Sequence, residues 1–122
     1  MKVALVVDDN ELFRGLIVEL LLNRFPNVKI LQAKNGREGR DKFLENSPDA
    51  VITDFEMPGM NGLELAKFIK DNPREDIRVI MISGLVNSEE LQAKVEGLGF
   101  KFFKKPFQLE EFEQVLSELV KQ

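Results

Sequence analysis

Short continuous apolar runs alternate five times with longer stretches whose apolar residues recur three and four positions apart. Val3–Val7 is an unbroken β-branched and apolar run, as expected of a strand buried on both faces. Leu12, Phe13, Leu16, Ile17, Leu20 and Leu21 then repeat at helical spacing until Phe25-Pro26 stops them. Val28–Leu31 reads as a second strand, punctuated by Asn35-Gly36, and 37–46 as a helix. That helix has a poor stripe: Gly39 and Arg40 stand where apolar residues belong, so loose packing is expected. Ala50–Thr53 is the third strand. Gly62, Leu65, Ala66 and Ile69 mark the next helix face, closed by Asn72-Pro73. Ile77–Ile82 is the fourth strand, and Leu91, Val95 and Leu98 space a shorter helix that Gly97 and Gly99 end. Phe100–Phe103 is the fifth strand, followed by a helix with Leu109, Phe112, Leu116 and Leu119 on one stripe beside Val115 and Val120. Five such units predict an α/β fold with an open, doubly wound parallel sheet and helices on both faces.

Composition narrows the chemistry. The 122 residues suit one domain, 1–122, and no apolar run approaches the ~20 residues of a membrane span. The start of the chain has no signal-peptide pattern, and the chain lacks cysteine, both compatible with a cytoplasmic protein. A net charge of −4, with no basic cluster beyond Lys104-Lys105, argues against direct nucleic-acid binding. The absence of histidine removes Ser-His chemistry, histidine-ligated zinc and a phosphohistidine on this chain. Carboxylate, lysine, hydroxyl and an imported metal remain.

The placement of those groups is the strongest signal. The first apolar run ends at Asp8 and Asp9, the third at Asp54, the fourth at Ser83-Gly84 and the fifth at Lys105-Pro106. In a parallel sheet these ends share one edge, where open α/β folds place their sites. Three carboxylates converging there repel one another unless a cation neutralises them, and a hard divalent ion suits oxygen ligands. Each residue has a plainer role when taken alone. Asp9 caps a helix, Asp54 belongs to a turn, Ser83 bonds nearby backbone and Lys105 is solvated. Their joint order and spacing is what those separate roles do not explain.

The ordered set Asp8-Asp9, Asp54, Ser83 and Lys105 resembles the receiver domain of bacterial two-component response regulators. Arg14 five residues beyond Asp9, the loop Met57-Pro58-Gly59-Met60-Asn61-Gly62 and the Lys105-Pro106-Phe107 run carry the same likeness over essentially the whole chain. The resemblance implies a flavodoxin-like (βα)5 fold with strand order 2-1-3-4-5. It assigns Asp54 as phosphoacceptor and Asp8, Asp9, Asp54 and the Glu56 backbone carbonyl as the Mg²⁺ site, with Asp8 acting through water. It gives Lys105 and Ser83 the phosphoryl oxygens, and makes Phe102 an aromatic that turns inward on activation. The Lys105–Pro106 peptide is a candidate cis bond. Ser83 stands where threonine is common and Phe102 where tyrosine is. Glu56 and Leu85 border the path of hydrolytic water, and Glu56 either pairs with Lys101 or Lys104 or orients that water.

The implied partners are a histidine kinase or histidine phosphotransfer protein and a downstream protein that reads the face of the fourth helix, fifth strand and fifth helix. Val18 and Leu22, off the core stripe of the first helix, offer a small apolar patch for the phosphodonor. The implied role is a switch in protein-binding affinity, with no enzyme activity beyond the chain's own phosphorylation and dephosphorylation. A phosphorelay shuttle and a receiver excised from a longer regulator are the near alternatives. A phosphoaspartate hydrolase, which favours an Asp-x-Asp pair after the first strand, and a pseudo-receiver scaffold fit the residues less well.

Overall fold

The structure, a computed structural model, describes residues 1–72, 74, 76–105 and 109–120, without the side chains of Leu109 and Val120. Along the chain run β1 (Val3–Val7), α1 (Glu11–Arg24), β2 (Lys29–Ala33), α2 (Gly36–Asn46) and β3 (Ala50–Asp54). Then come α3 (Gly62–Asp71), β4 (Arg78–Ser83), α4 (Glu89–Gly97), β5 (Lys101–Lys104) and α5 (Leu109–Val120). All neighbouring strands pair in parallel, in the order β2-β1-β3-β4-β5. The expected fold class and strand order are therefore present. Strands two, four and five begin one residue later than their apolar runs. Register explains the shift: Lys29 opposes Val3, Arg78 opposes Ala50 and Lys101 opposes Ile80.

Strand alternation feeds two separate cores. Leu5, Val7, Val51, Val79, Met81 and Phe102 point toward α2, α3 and α4, where they meet Phe43, Leu65, Ile69 and Val95. Ala4, Val6, Ile52, Ile80 and Ile82 point the other way, onto Ile17 and Leu21 of α1 and Phe112, Val115 and Leu116 of α5. With both faces covered, the interior strands β1, β3 and β4 are near-continuous apolar runs, while the edge strands β2 and β5 carry exposed polar residues.

Three helices begin at asparagine caps that face the C-terminal edge of the sheet. Asn10 accepts from the Phe13 N–H at 2.9 Å and Asn35 from the Glu38 N–H at 2.8 Å. Asn61 and Glu64 close a reciprocal capping box at 2.9 and 3.1 Å. At the opposite edge the Asp49 carboxylate accepts the Lys2 and Val3 N–H groups at 2.7 and 2.8 Å, tying the entry of β3 to the entry of β1. The Val3 bond foremost, opposed by some burial, holds its carboxyl below the usual carboxylate range.

Two expectations about packing are corrected. The α2 helix is closely packed, because its glycines are the contact points: a Cβ on Gly39 would lie 3.0 Å from Val7 Cγ2 and 3.2 Å from Leu65 Cδ2. Phe43 is fully buried and meets Phe68 edge-on, at 6.3 Å between centroids. On α1, Leu12 and Leu16 lie outside the core at 87% and 47% exposure, whereas Val18 packs against it. The apolar surface of that helix is thus Leu12, Leu16 and Leu22. The expected stop at Pro73, the Lys105–Pro106 cis bond, and the Leu109 and Val120 side chains of the last stripe lie outside the described residues.

Candidate functional site

The end of β3 is built around a backbone approach that only glycine permits. A Cβ on Gly62 would fall 2.1 Å from the Asp54 carbonyl oxygen. The Thr53 hydroxyl donates to the same oxygen at 2.8 Å. The Phe55 N–H donates to Ile82 O at 3.2 Å and the Gly62 N–H to Phe55 O at 2.9 Å, so the chain leaving β3 is anchored on both sides. Asp54 is thereby held at the sheet edge with 7% of its surface exposed.

Asp8 arrives from β1, which lies next to β3. Its N–H continues the ladder to Ala33 O at 3.0 Å, and its carbonyl accepts from Arg14 Nη1 at 2.7 Å. Arg14 is fixed in turn by Nε donating to Gln32 Oε1 at 3.0 Å. The buried Asp8 carboxylate accepts the Asn10 N–H at 2.9 Å through Oδ1. Asp9 follows on the surface. One oxygen each of Asp8, Asp9 and Asp54 lies within 4.8 Å of the others. An all-oxygen set of three carboxylates fits a hard divalent cation.

Lys105, the residue after β5, closes the cluster. Its N–H donates to Ser83 O at 2.7 Å, and its Nζ lies 3.2 Å from Asp8 Oδ2 and 3.3 Å from Asp54 Oδ1. The side chain is 21% exposed, so this is a partly buried pair, unlike the exposed bridges Lys34–Glu38 and Lys94–Glu90. The same ammonium sits 4.1 Å from the Phe13 ring centroid. Burial, reinforced by the Asp8 charge and only partly offset by Lys105, pushes the Asp54 carboxyl up to about 6. A group so placed is still mostly ionised near neutrality, hence a competent nucleophile.

Of the residues singled out from sequence, Asp8, Asp9, Asp54 and Lys105 meet here. Ser83 is fully buried at the end of β4, and its hydroxyl accepts the Leu85 N–H at 3.1 Å, the plainer of its two roles. Glu56 is exposed and pairs with neither lysine, and Lys101 lies 3.9 Å from Glu118 instead. Phe102 is buried among the α2–α4 core residues at 8% exposure. Sequence reasoning missed two supports. Gln32 carries no signal in the sequence. Phe13 reads there only as one more apolar residue of the α1 stripe.

Known proteins share this fold and part of this sequence. The family model for the response regulator receiver domain matches residues 4–117. The chemotaxis protein CheY of Bacillus subtilis is 33% identical over 104 residues, covering 85% of this chain and 85% of that protein. A protein-glutamate methylesterase/protein-glutamine glutaminase of Desulfotalea psychrophila is 36% identical over 104 residues, which is 84% of this chain but 28% of that protein. The chain thus spans about a third or less of several longer curated relatives. The crystal structure of response regulator protein TrrA from Thermotoga maritima, in complex with Mg²⁺ and BeF, superposes with a TM-score of 0.80 at 31% identity, covering 98% of this chain and 100% of that one.

Proposed function

The chain belongs to the response regulator receiver family, and we propose from that premise that Asp54 accepts a phosphoryl group from a histidine on a partner protein. With no histidine of its own, the chain takes a histidine-borne phosphoryl group from another protein, a kinase or phosphotransfer protein. An Asp54 carboxylate oxygen attacks phosphorus, the bond between phosphorus and the donor nitrogen breaks, and an acyl phosphate forms. The observation that carries this reading is the position of Asp54, largely buried yet facing two carboxylates and the Lys105 ammonium.

Asp8, Asp9 and Asp54, with the Glu56 backbone carbonyl, would hold Mg²⁺. When bound, that ion offsets charge on the transferring group. Lys105 binds one phosphoryl oxygen. Ser83 hydrogen-bonds another once its hydroxyl leaves the Leu85 N–H. Because the Lys105 N–H is bonded to Ser83 O, the ends of β4 and β5 respond together. Phe102, already buried, reports that response to the face of α4, β5 and α5, where a downstream protein binds. Leu12, Leu16 and Leu22 offer the donor an apolar docking face on α1. In this reading residues 1–122 form one cytoplasmic receiver, acting as a switch and not on a separate substrate. No described helix is long and apolar enough to cross a membrane.

Incubation with acetyl phosphate and Mg²⁺, followed by mass spectrometry, should place the phosphoryl group on Asp54. Asp54→Ala should abolish labelling. Stable label on Asp8 or Asp9 with Asp54 unmodified would overturn the assignment.

A further inference from the structure

The Lys105 ammonium has three surfaces to satisfy, and the carboxylates account for two of them. Asp8 Oδ2 and Asp54 Oδ1 lie at 3.2 and 3.3 Å, while the third neighbour is the Phe13 ring, 4.1 Å from Nζ to the centroid. That distance is well inside the ~6 Å reach of a cation–π contact, whose strength grows when the pair is shielded from water. Phe13 does not arrive there by chance packing. The Asp8 carboxylate accepts the Asn10 N–H at 2.9 Å, and the Asn10 side chain accepts the Phe13 N–H at 2.9 Å. The Phe13 ring then faces Lys105, which returns to Asp8. The four residues close a loop joining the first turn of α1 to the end of β5.

We propose that Phe13 is a positioning residue that seats the Lys105 ammonium over the Asp8–Asp54 pair. A lysine side chain has four rotatable bonds and holds one place only if something restrains it. The carboxylates are an inconstant restraint, because a metal ion or a phosphoryl group redistributes their charge. The ring is neutral, and its face attracts the cation in every state of the site. The seat keeps Nζ where a phosphoryl oxygen on Asp54 would arrive. That consequence rests on the proposed phosphoacceptor role, while the seat itself does not.

Two measurements separate these layers. The first is the NMR order of the Lys105 ε-methylene in the unliganded protein. Phe13→Leu, which keeps an apolar side chain but removes the π face, should mobilise the lysine, and Phe13→Tyr should restore its order. Ring-fluorinated phenylalanine at position 13 preserves shape, so a graded loss with fluorine content tests the ring electrostatics even if the leucine variant folds poorly. Unchanged Lys105 order in the leucine and fluorinated proteins would overturn the seat. The second is NMR titration with beryllofluoride and Mg²⁺, which needs no chromophore in a chain without Trp or Tyr. Affinity should fall about threefold to tenfold in Phe13→Leu and recover in Phe13→Tyr. The leucine change should cost nothing further in a Lys105→Ala background. An equal loss in that background would show that Phe13 acts otherwise than through Lys105. A parent protein that fails to bind the mimic would sink the phosphoacceptor reading, and the lysine order would still judge the seat.

Discussion

Asp54 carries an electrostatic conflict. Its carboxyl is pushed up to about 6, against 3.8 for an ordinary aspartate, because burial and the Asp8 charge disfavour the ionised form. The unfolded chain therefore releases this proton at lower pH than the folded one. The contribution of Asp54 to stability is fully present below pH 3.8 and is lost as pH rises through about 6. The separation corresponds to about 3 kcal/mol at most. Asp54→Asn, neutral and nearly isosteric, should raise stability by about 1–3 kcal/mol at pH 7.5 without divalent metal. The gain should vanish as pH falls toward 4 in urea titrations. A gain independent of pH would mean that the carboxylate is not strained at this site. Lys105 belongs to the same balance. Sequence position alone gives it little structural role, but it is the cation within 3.3 Å of two buried carboxylates, so its removal leaves them facing each other unrelieved.

At the scale of elements, one substitution made at three glycines should give three different results. Gly15 lies in the interior of α1 with nothing within 4 Å of a prospective Cβ, so Gly15→Ala should stabilise by about 0.5–1 kcal/mol through helix propensity alone. At Gly39 the same gain is opposed by contacts of 3.0 and 3.2 Å with Val7 and Leu65, and a net loss of about 1–2 kcal/mol is expected. At Gly62 the new Cβ meets the Asp54 carbonyl oxygen at 2.1 Å and Phe55 Cα at 2.9 Å, backbone atoms that cannot rotate away. Gly62→Ala should cost about 3 kcal/mol or more and displace Asp54. Urea midpoints rank the three, and any other order would mean that α2 and α3 are less closely seated than the distances state.

For the whole molecule, the sheet makes one structure of two cores. Each strand contributes to both faces, so α1 and α5 cannot detach from their side without exposing the strands that α2, α3 and α4 cover. The carboxylate cluster spans two neighbouring strands, β1 and β3, and cation binding there should stabilise the fold as a unit. Mg²⁺ at ten times its dissociation constant adds about 1.4 kcal/mol, which raises Tm by about 3–8 °C in a domain of this size. A chelator should reverse the rise, and Asp9→Ala should reduce it more than Asp8→Ala. Identical melting with and without the chelator would exclude the metal site.

The sequence by itself determined the element order, the two-sided burial of the sheet and the site residues at strand ends. Continuous apolar runs, helical spacing and glycine or proline stops are local signals, each written within a few residues. It also placed Asp8, Asp9, Asp54 and Lys105 in one group, since parallel strands bring their C-terminal ends to one edge. What it left undetermined depends on contacts between distant segments. Gly39 reads as a weak point in its helix and Gly62 as one more position on a helix face, yet their missing side chains admit Val7 and Leu65 in one case and the Asp54 backbone in the other. Leu12 and Leu16 fit the stripe of α1 but lie at its exposed margin, because the tilt of a helix on its sheet is set by packing rather than by periodicity. Phe13 looked like any other core position. Only the tertiary fold brought its ring under a lysine from the far end of the chain, since the spacing along one helix says nothing about what a different strand will lay across it.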